Sequence, residues 1–269
     1  MFKSANSEHA VSGVTFQVVF SAPLPPDVVN LVQNNHRNFK SELPALNGGQ
    51  TMSVEVTPQG PVIHHLPGVE FSFLRPDGTP AWSLRVSGSE IAVDCRRYTR
   101  WVAVSGQAYM LLARLCSLLV GAGFGDLQVS GLVLLVRDDF FWHADEQMYD
   151  LRALLQPSDI LADFAFQSGP VWHSHVAWFE DRQAPVSTLV HLNVDGLTAT
   201  PETAQRGAAA QVAITNFQNM RYRTPRQISW LGANYNEALV SGMENMHIRN
   251  KSLLKKLLTP AIASGIGLT

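Results

Sequence analysis

Residues 71–143 constrain the fold more than any other stretch, because they set an amphipathic hairpin directly before a helix that is apolar on nearly every side. Trp82, Leu84 and Val86 alternate with Ser83, Arg85 and Ser87, the period-two pattern of a strand with one wet face. Gly88-Ser89 turns the chain. Ile91, Val93 and Cys95 then point one way while Glu90, Ala92, Asp94 and Arg96 point the other. The dry side of this hairpin needs a cover, and residues 99–120 supply it. They carry Trp101, Val104, Ala108, Met110, Leu111, Leu112, Leu115, Cys116, Leu118 and Leu119, so the second half of this helix is expected to be buried between layers. Gly121-Ala122-Gly123 has the composition of a left-handed C-terminal cap. The nearly continuous apolar run at 128–136 then reads as a central strand.

The remaining chain repeats this kind of layering. Residues 1–12 are polar and read as a flexible N-terminus. Val14, Phe16, Val18 and Phe20 alternate as a first strand, stopped by Pro23, Pro25 and Pro26. Asp27 can cap a helix with Val28, Leu31 and Val32 on its apolar side. Met52, Val54 and Val56 mark another strand, and 58–67 reads as a loop carrying His64 and His65. These elements make residues 13–143 an N-terminal α+β domain. Residues 144–168 read as a connection with short helical turns. Residues 169–269 read as a C-terminal α+β domain: a hairpin from 171–179 and 186–195, a small-residue connection at 198–207 and an ambiguous segment at 208–217. A long terminal helix follows. Asn234-x-x-Glu237 resembles a capping arrangement ahead of it, and Leu239, Met243, Met246, Leu253, Leu254 and Leu257 form its stripe. The expected fold is therefore α+β, two layered halves, each a mostly antiparallel sheet covered by a long helix.

Several pieces together carry a resemblance: Val18-Val19-Phe20-Ser21 before Pro23-Leu24-Pro25; Phe71-Ser72-Phe73-Leu74 with Asp77-Gly78; Tyr98-x-x-Trp101 opening the helix; the apolar strand after the glycine break; and Leu257-Leu258-Thr259. In this pattern the chain resembles a sporadically distributed bacterial family of uncharacterised proteins of about this length. The family's strand after the helix carries a glycine-leucine-arginine-tyrosine-x-asparagine run. Here the same place reads Gly131-Leu132-Val133-Leu134-Leu135-Val136, without the polar members. The resemblance implies a bacterial origin and a setting linked to mobile elements or antiviral defence. It implies no particular chemistry.

A formal net charge of −2 argues against wholesale electrostatic binding to nucleic acid or anionic membrane. Cys95 and Cys116 read as core thiols in a reducing compartment. The N-terminus lacks the apolar core of a secretory signal, and the apolar helix is interrupted by Arg114, so the expected location is cytoplasmic with no membrane partner.

Three groups of residues are candidates for function. Trp172-His173-Ser174-His175 places His173 and His175 on one face of a strand, and His191, Asn193 and Asp195 share a face of the next. If Phe179 pairs with Ser187, His175 falls opposite His191. His173, His175, His191 and Asp195 are then candidate ligands for zinc or another divalent metal, the basis of a hydrolase reading. Asp138, Asp139, His143, Asp145 and Glu146 read as an acidic cluster at a strand end. In 220–230, Arg221, Arg223 and Arg226 interleave with Tyr222 and Trp230, a combination that suits single-stranded nucleic acid or a protein hot spot. No phosphate-binding loop, nucleophile elbow or dinucleotide fingerprint is present, and no cofactor is expected. The leading expectation is a non-enzymatic binding protein that contacts another protein, with nucleic-acid binding and metal-dependent hydrolysis as alternatives.

Overall fold

The computed structural model describes residues 1–6, 8–57, 60–143, 148–181, 185–205 and 207–268, with the backbone alone for 50–57 and 60–66. The fold is α+β, built on one large antiparallel sheet. Its strands are β1 (Phe2–Ser4), β2 (Val11–Phe20), β3 (Ala45–Thr57), β4 (Gly60–Leu74), β5 (Pro80–Ser87), β6 (Glu90–Cys95), β7 (Gln128–His143), β8 (Trp172–Glu180), β9 (Val186–Thr198) and β10 (Ala208–Gln227). They lie in the order β3-β4-β5-β6-β2-β7-β10-β9-β8, with β1 paired to the C-terminal end of β7. The loop expected at 58–67 is largely strand: His64 and His65 pair with Ser53 and Met52 inside the long β3–β4 hairpin.

The hairpin at the heart of the sequence forms as its alternation dictates. Trp82 lies opposite Cys95, Leu84 opposite Val93 and Val86 opposite Ile91, and all six are buried. Gly88 makes the turn with φ 55°, a conformation that glycine adopts without a Cβ clash. Helix α1 (Pro26–Asn34) and helix α2 (Trp101–Gly121) cover the dry side. Val104, Ala108, Leu111, Leu112, Leu115 and Leu119 of α2 are all at most 2% exposed, whereas Val102, Met110 and Val120 face solvent. The helix therefore lies on the sheet with one wet side and is not sandwiched between two layers. It is long and apolar enough to cross a membrane by length and composition, and half of its apolar window is buried within the protein. It ends in a paired cap: the Gly123 N–H donates to Val120 O at 3.1 Å and the Phe124 N–H to Leu119 O at 2.9 Å, with Gly123 at φ 95°. Cys95 and Cys116 are both buried and free, and burial pushes their thiols up to about 11 and about 12.

The two sheets expected from the sequence are a single sheet. The ambiguous segment beginning at Ala208 is a strand that runs on to Gln227 and pairs with β7 along most of its length. Met220 to Gln227, which hold most of the arginine–aromatic segment, thus belong to a strand whose register slips between Arg221 and Arg226. After β10 come helix α4 (Ile228–Ala233), a π-helical turn (Asn236–Val240), helix α5 (Ser241–Leu257) and helix α6 (Pro260–Gly265). The Asn234 side chain donates to Trp230 O at 3.0 Å, so it closes α4 and does not open the last helix. Met243 and Met246 of α5 pack into the same core as α2, while Leu253, Leu254 and Leu257 pack with Trp142, Leu154 and Ile214. One helix thereby spans the junction of β7 and β10. Trp101, which opens α2, stacks on His247 of α5 at 3.8 Å and donates its Nε1 to Glu244 at 2.8 Å.

Phe2 to Ser4, within the segment expected to be flexible, pair with β7. Phe2 lies opposite Trp142, with ring centroids 5.0 Å apart, and is 6% exposed. Residues 198–207, expected as a small-residue connection, hold the short helix α3 (Pro201–Gln205).

Candidate functional site

Helices α1, α2, α4, α5 and α6 all bury residues against one face of the sheet, the face that carries Phe16, Leu134, Leu192 and Ile214. The alternate residues of the same strands form the other face. The register lays them out in rows, since directly opposed residues of an antiparallel pair share a face. Thr15, Leu135, Phe217, His191 and Ala177 make one row across β2, β7, β10, β9 and β8. The next row is Gly13, Arg137, Thr215, Asn193 and His175; beyond it lie Asp139, Ala213, Asp195 and His173. An apolar row thus borders a polar one and then a charged one.

The histidines come together differently from the expected register. Phe179 pairs with Leu189, not Ser187, because the connection between β8 and β9 is longer than a tight hairpin allows and Val186 and Ser187 pair with β10 alone. A slip of two residues keeps every side chain on its face but moves each partner along by one pair. His173 is therefore opposite Asp195, His175 opposite Asn193, and His191 opposite Ala177. His173 Nδ1 lies 2.9 Å and His175 Nε2 2.8 Å from the same oxygen, Asp195 Oδ1. The three ligand atoms fall within 4.8 Å of one another. Tetrahedral coordination at ~2.0–2.1 Å sets ligand–ligand separations of about 3.4 Å, so small side-chain rotations suffice to admit a divalent ion. His191 is not part of this group; its ring packs against Phe217 at 5.8 Å. The His173 and His175 side chains are 61% and 55% exposed, so a metal held here would keep open coordination positions toward solvent.

The acidic cluster does not converge. β7 continues to His143, so Asp138 and Asp139 are neighbours within a strand and point to opposite faces. Asp139, on the helix-free face, accepts from Arg137 Nε at 3.1 Å and Gln211 Nε2 at 2.8 Å. Asp138, on the helix side, is 2% exposed, and burial together with the neighbouring Asp139 charge pushes its carboxyl up to about 7. Asp145 and Glu146 lie outside the described residues.

The arginine–aromatic segment is also divided. Arg221 sits opposite Gly131 and Ser187 on the helix-free face. Tyr222 is half-buried, with its ring edge-on to Trp230 at 6.2 Å and its hydroxyl pushed up to about 12 by burial. Arg226, beyond the register slip, lies over the Trp230 ring at 5.2 Å. Trp230 thus has an internal cation and an internal ring as neighbours, and the segment does not present a shared platform for stacking bases.

Sequence reading passed over one further polar group. Asn216 and Gln218 interrupt the helix-side stripe of β10 between Ile214 and Met220, and both are buried. The visible signal was a gap in the α5 stripe, where Asn250 occupies the position midway between Met246 and Leu253.

No family model matches the chain, and neither curated proteins nor solved structures give a match.

Proposed function

We propose that this chain is a binding protein that holds another protein on the helix-free face of its sheet, as a subunit or accessory factor in the bacterial cytoplasm, in a defence-linked setting. The observation that supports this reading is the one-sided packing of the helices. It leaves a broad pleated surface on which Leu135 and Phe217 adjoin Arg137, Thr215 and His175. Apolar and aromatic groups beside arginine and histidine are the composition of a protein contact. Glu70, Glu90, Asp94, Asp139 and Asp195 are interspersed with Lys3, Arg85, Arg96, Arg137 and Arg221 on this face, a mixture of signs that suits a protein contact better than a run of nucleic-acid phosphates. In this reading the halves 13–143 and 169–269 each contribute a long helix, α2 and α5, to the roof.

The test is quantitative capture from the source cell with three baits. Arg137→Glu combined with Phe217→Ser should weaken retention of a specific partner about tenfold or more, the scale of losing one interface hot spot. Ile248→Ser, at an exposed position on the helix side, should leave it unchanged. Equal recovery of the same proteins on all three baits would refute the reading.

A second reading is favoured by the convergence of His173, His175 and Asp195: the face also carries a divalent-metal site, the basis of any hydrolytic activity. Equilibrium dialysis against zinc should then find one ion per chain. His175→Ala should reduce that affinity by more than about 100-fold, beyond what loss of an outer-shell partner does. His191→Ala should leave it intact, because His191 lies one pair away opposite Ala177. Dependence on His191, or no zinc uptake by the wild-type protein, would exclude this site.

A further inference from the structure

On the helix side, a cavity of about 390 Å³ opens between α5, the Asp159–Ile160 segment and strands β8, β9 and β10. Its size lies within the range of small-molecule sites, ~300–1,000 Å³. Ile160, Trp178, Val190 and Leu253 give it apolar walls, and Asn216 and Gln218 both line it. These two amides are 2% and 1% exposed. Each commits one amide N–H inside the protein: Gln218 Nε2 donates to Met246 O at 2.7 Å, and Asn216 Nδ2 to Asn250 Oδ1 at 2.8 Å. A backbone carbonyl can only accept, so the Gln218 amide has its orientation fixed, with Oε1 turned from Met246. Gln218 Oε1 and Asn216 Oδ1 are both buried and have no hydrogen-bond partner among the described residues. Such acceptors destabilise a core when left unmet, and a native core rarely keeps two in one cavity without a use.

We infer that this cavity is a binding site for a small planar heteroaromatic molecule bearing N–H donors along one edge, the chemistry of an amino-substituted nucleobase. Two acceptors, carried two residues apart on β10 and lining one cavity, select a ligand with donors. The walls of Trp178, Val190, Ile160 and Leu253 select a flat apolar body and disfavour a polyol, whose other hydroxyls would be buried without partners. Lys256 and Ser252, at the rim, leave room for a polar substituent pointing outward. Arg249 is ion-paired with Glu180 and Asp181, and its buried Nη1, which makes no hydrogen bond among the described residues, adds one donor to the wall for a ring nitrogen or carbonyl of the ligand. This site is separate from the helix-free face, on the opposite side of the sheet.

The test is calorimetric titration of the intact chain with adenine, cytosine and guanine, and with unsubstituted purine as the donor-poor control. At least one amino-bearing base should bind saturably, and purine at least tenfold more weakly. Gln218→Met should abolish that binding while leaving a single cooperative unfolding transition, since it keeps the side-chain volume and loses the Nε2 bond to Met246 O together with the unmet acceptor. Leu253→Trp, which fills the cavity from α5, should abolish it as well. If Leu253→Trp fails to fold, the Gln218→Met comparison alone decides. No saturable binding of any of the three bases to the folded protein would overturn the inference. So would equal binding by wild type and Gln218→Met, or a purine affinity equal to that of the amino-bearing bases.

Discussion

Replacing Gly131 with alanine is expected to lower the unfolding free energy by about 3 kcal/mol, the upper part of the range for forced overpacking. Gly131 lies at the middle of the sheet, opposite Val19 on β2 and Arg221 on β10. A Cβ added there would meet Met220 O at 2.4 Å and Arg221 Cα at 3.3 Å, both backbone atoms of the neighbouring strand. A flexible side chain could swing away from such a contact; a paired strand can yield only by breaking its ladder or shifting its register. The register slip of β10 between Arg221 and Arg226 begins at this point, so the close approach belongs to the device that bends β10 toward α4. Gly121→Ala is the matched control, because nothing lies within 4 Å of a Cβ at that position. It should change stability by less than about 0.5 kcal/mol. Urea unfolding followed by far-ultraviolet and tryptophan signals measures both. Since β7 is shared by β2 and β10, both signals should shift to the same midpoint in Gly131→Ala. Two separated transitions, or an alanine variant as stable as wild type, would contradict a seam that ties the two cores together.

Much of this sheet is written in local pattern. The 82–95 hairpin, α2 with its glycine cap and the apolar half of β7 follow from period, turn chemistry and helix length, each readable within a dozen residues. What local pattern does not carry is how far a strand runs once its side chains stop alternating cleanly. Arg137 to His143 looked like an exit from the strand because Asp138 and Asp139 are acidic. In the fold Asp138 is buried under the helices, and Asp139 is tied to Arg137 and Gln211 on the other face. The polar tail of β10 hides its pairing for a similar reason: Arg221, Arg223 and Arg226 are exposed, and nothing local shows that Arg221 pairs with both β7 and β9 or that Arg226 pairs with β7. These two misreadings share one cause and led to the expectation of two separate sheets. The candidate metal group shows the reverse case. Alternation placed His173, His175 and Asp195 on one face correctly. The partner of each depended on a hairpin register that only the length of the connection decides, and that register exchanges His191 for Asp195 beside the histidine pair.

Asp138→Asn should raise stability at pH 8 by an amount approaching about 4 kcal/mol, the equivalent of roughly three pH units of proton affinity. Burial is the main cause, with the adjacent Asp139 charge adding to it: together they lift the Asp138 carboxyl from 3.8 to about 7. Between those values the folded protein holds a proton that the unfolded chain has released. The contribution of Asp138 is therefore most favourable below pH 3.8, declines as pH rises through the window and stays at its least favourable level above about 7. The asparagine amide mimics the protonated acid in shape and never ionises, so this slope disappears in the variant. His247 acts in the opposite sense in both proteins. Burial, and then the charge of Lys251, lower its imidazole from 6.5 to about 4, so its contribution is present above 6.5 and is lost as pH falls through that window. Because wild type and variant share it, the difference between them isolates Asp138. That difference, measured by urea unfolding, should be near zero at pH 4, grow between pH 4 and pH 7 and level off by pH 8. Asp139→Asn should instead destabilise, since it weakens the bonds that its carboxylate accepts from Arg137 and Gln211. A wild-type minus Asp138→Asn difference that is flat with pH would mean that this carboxyl is ionised in the folded protein and has found a partner or water in its burial site.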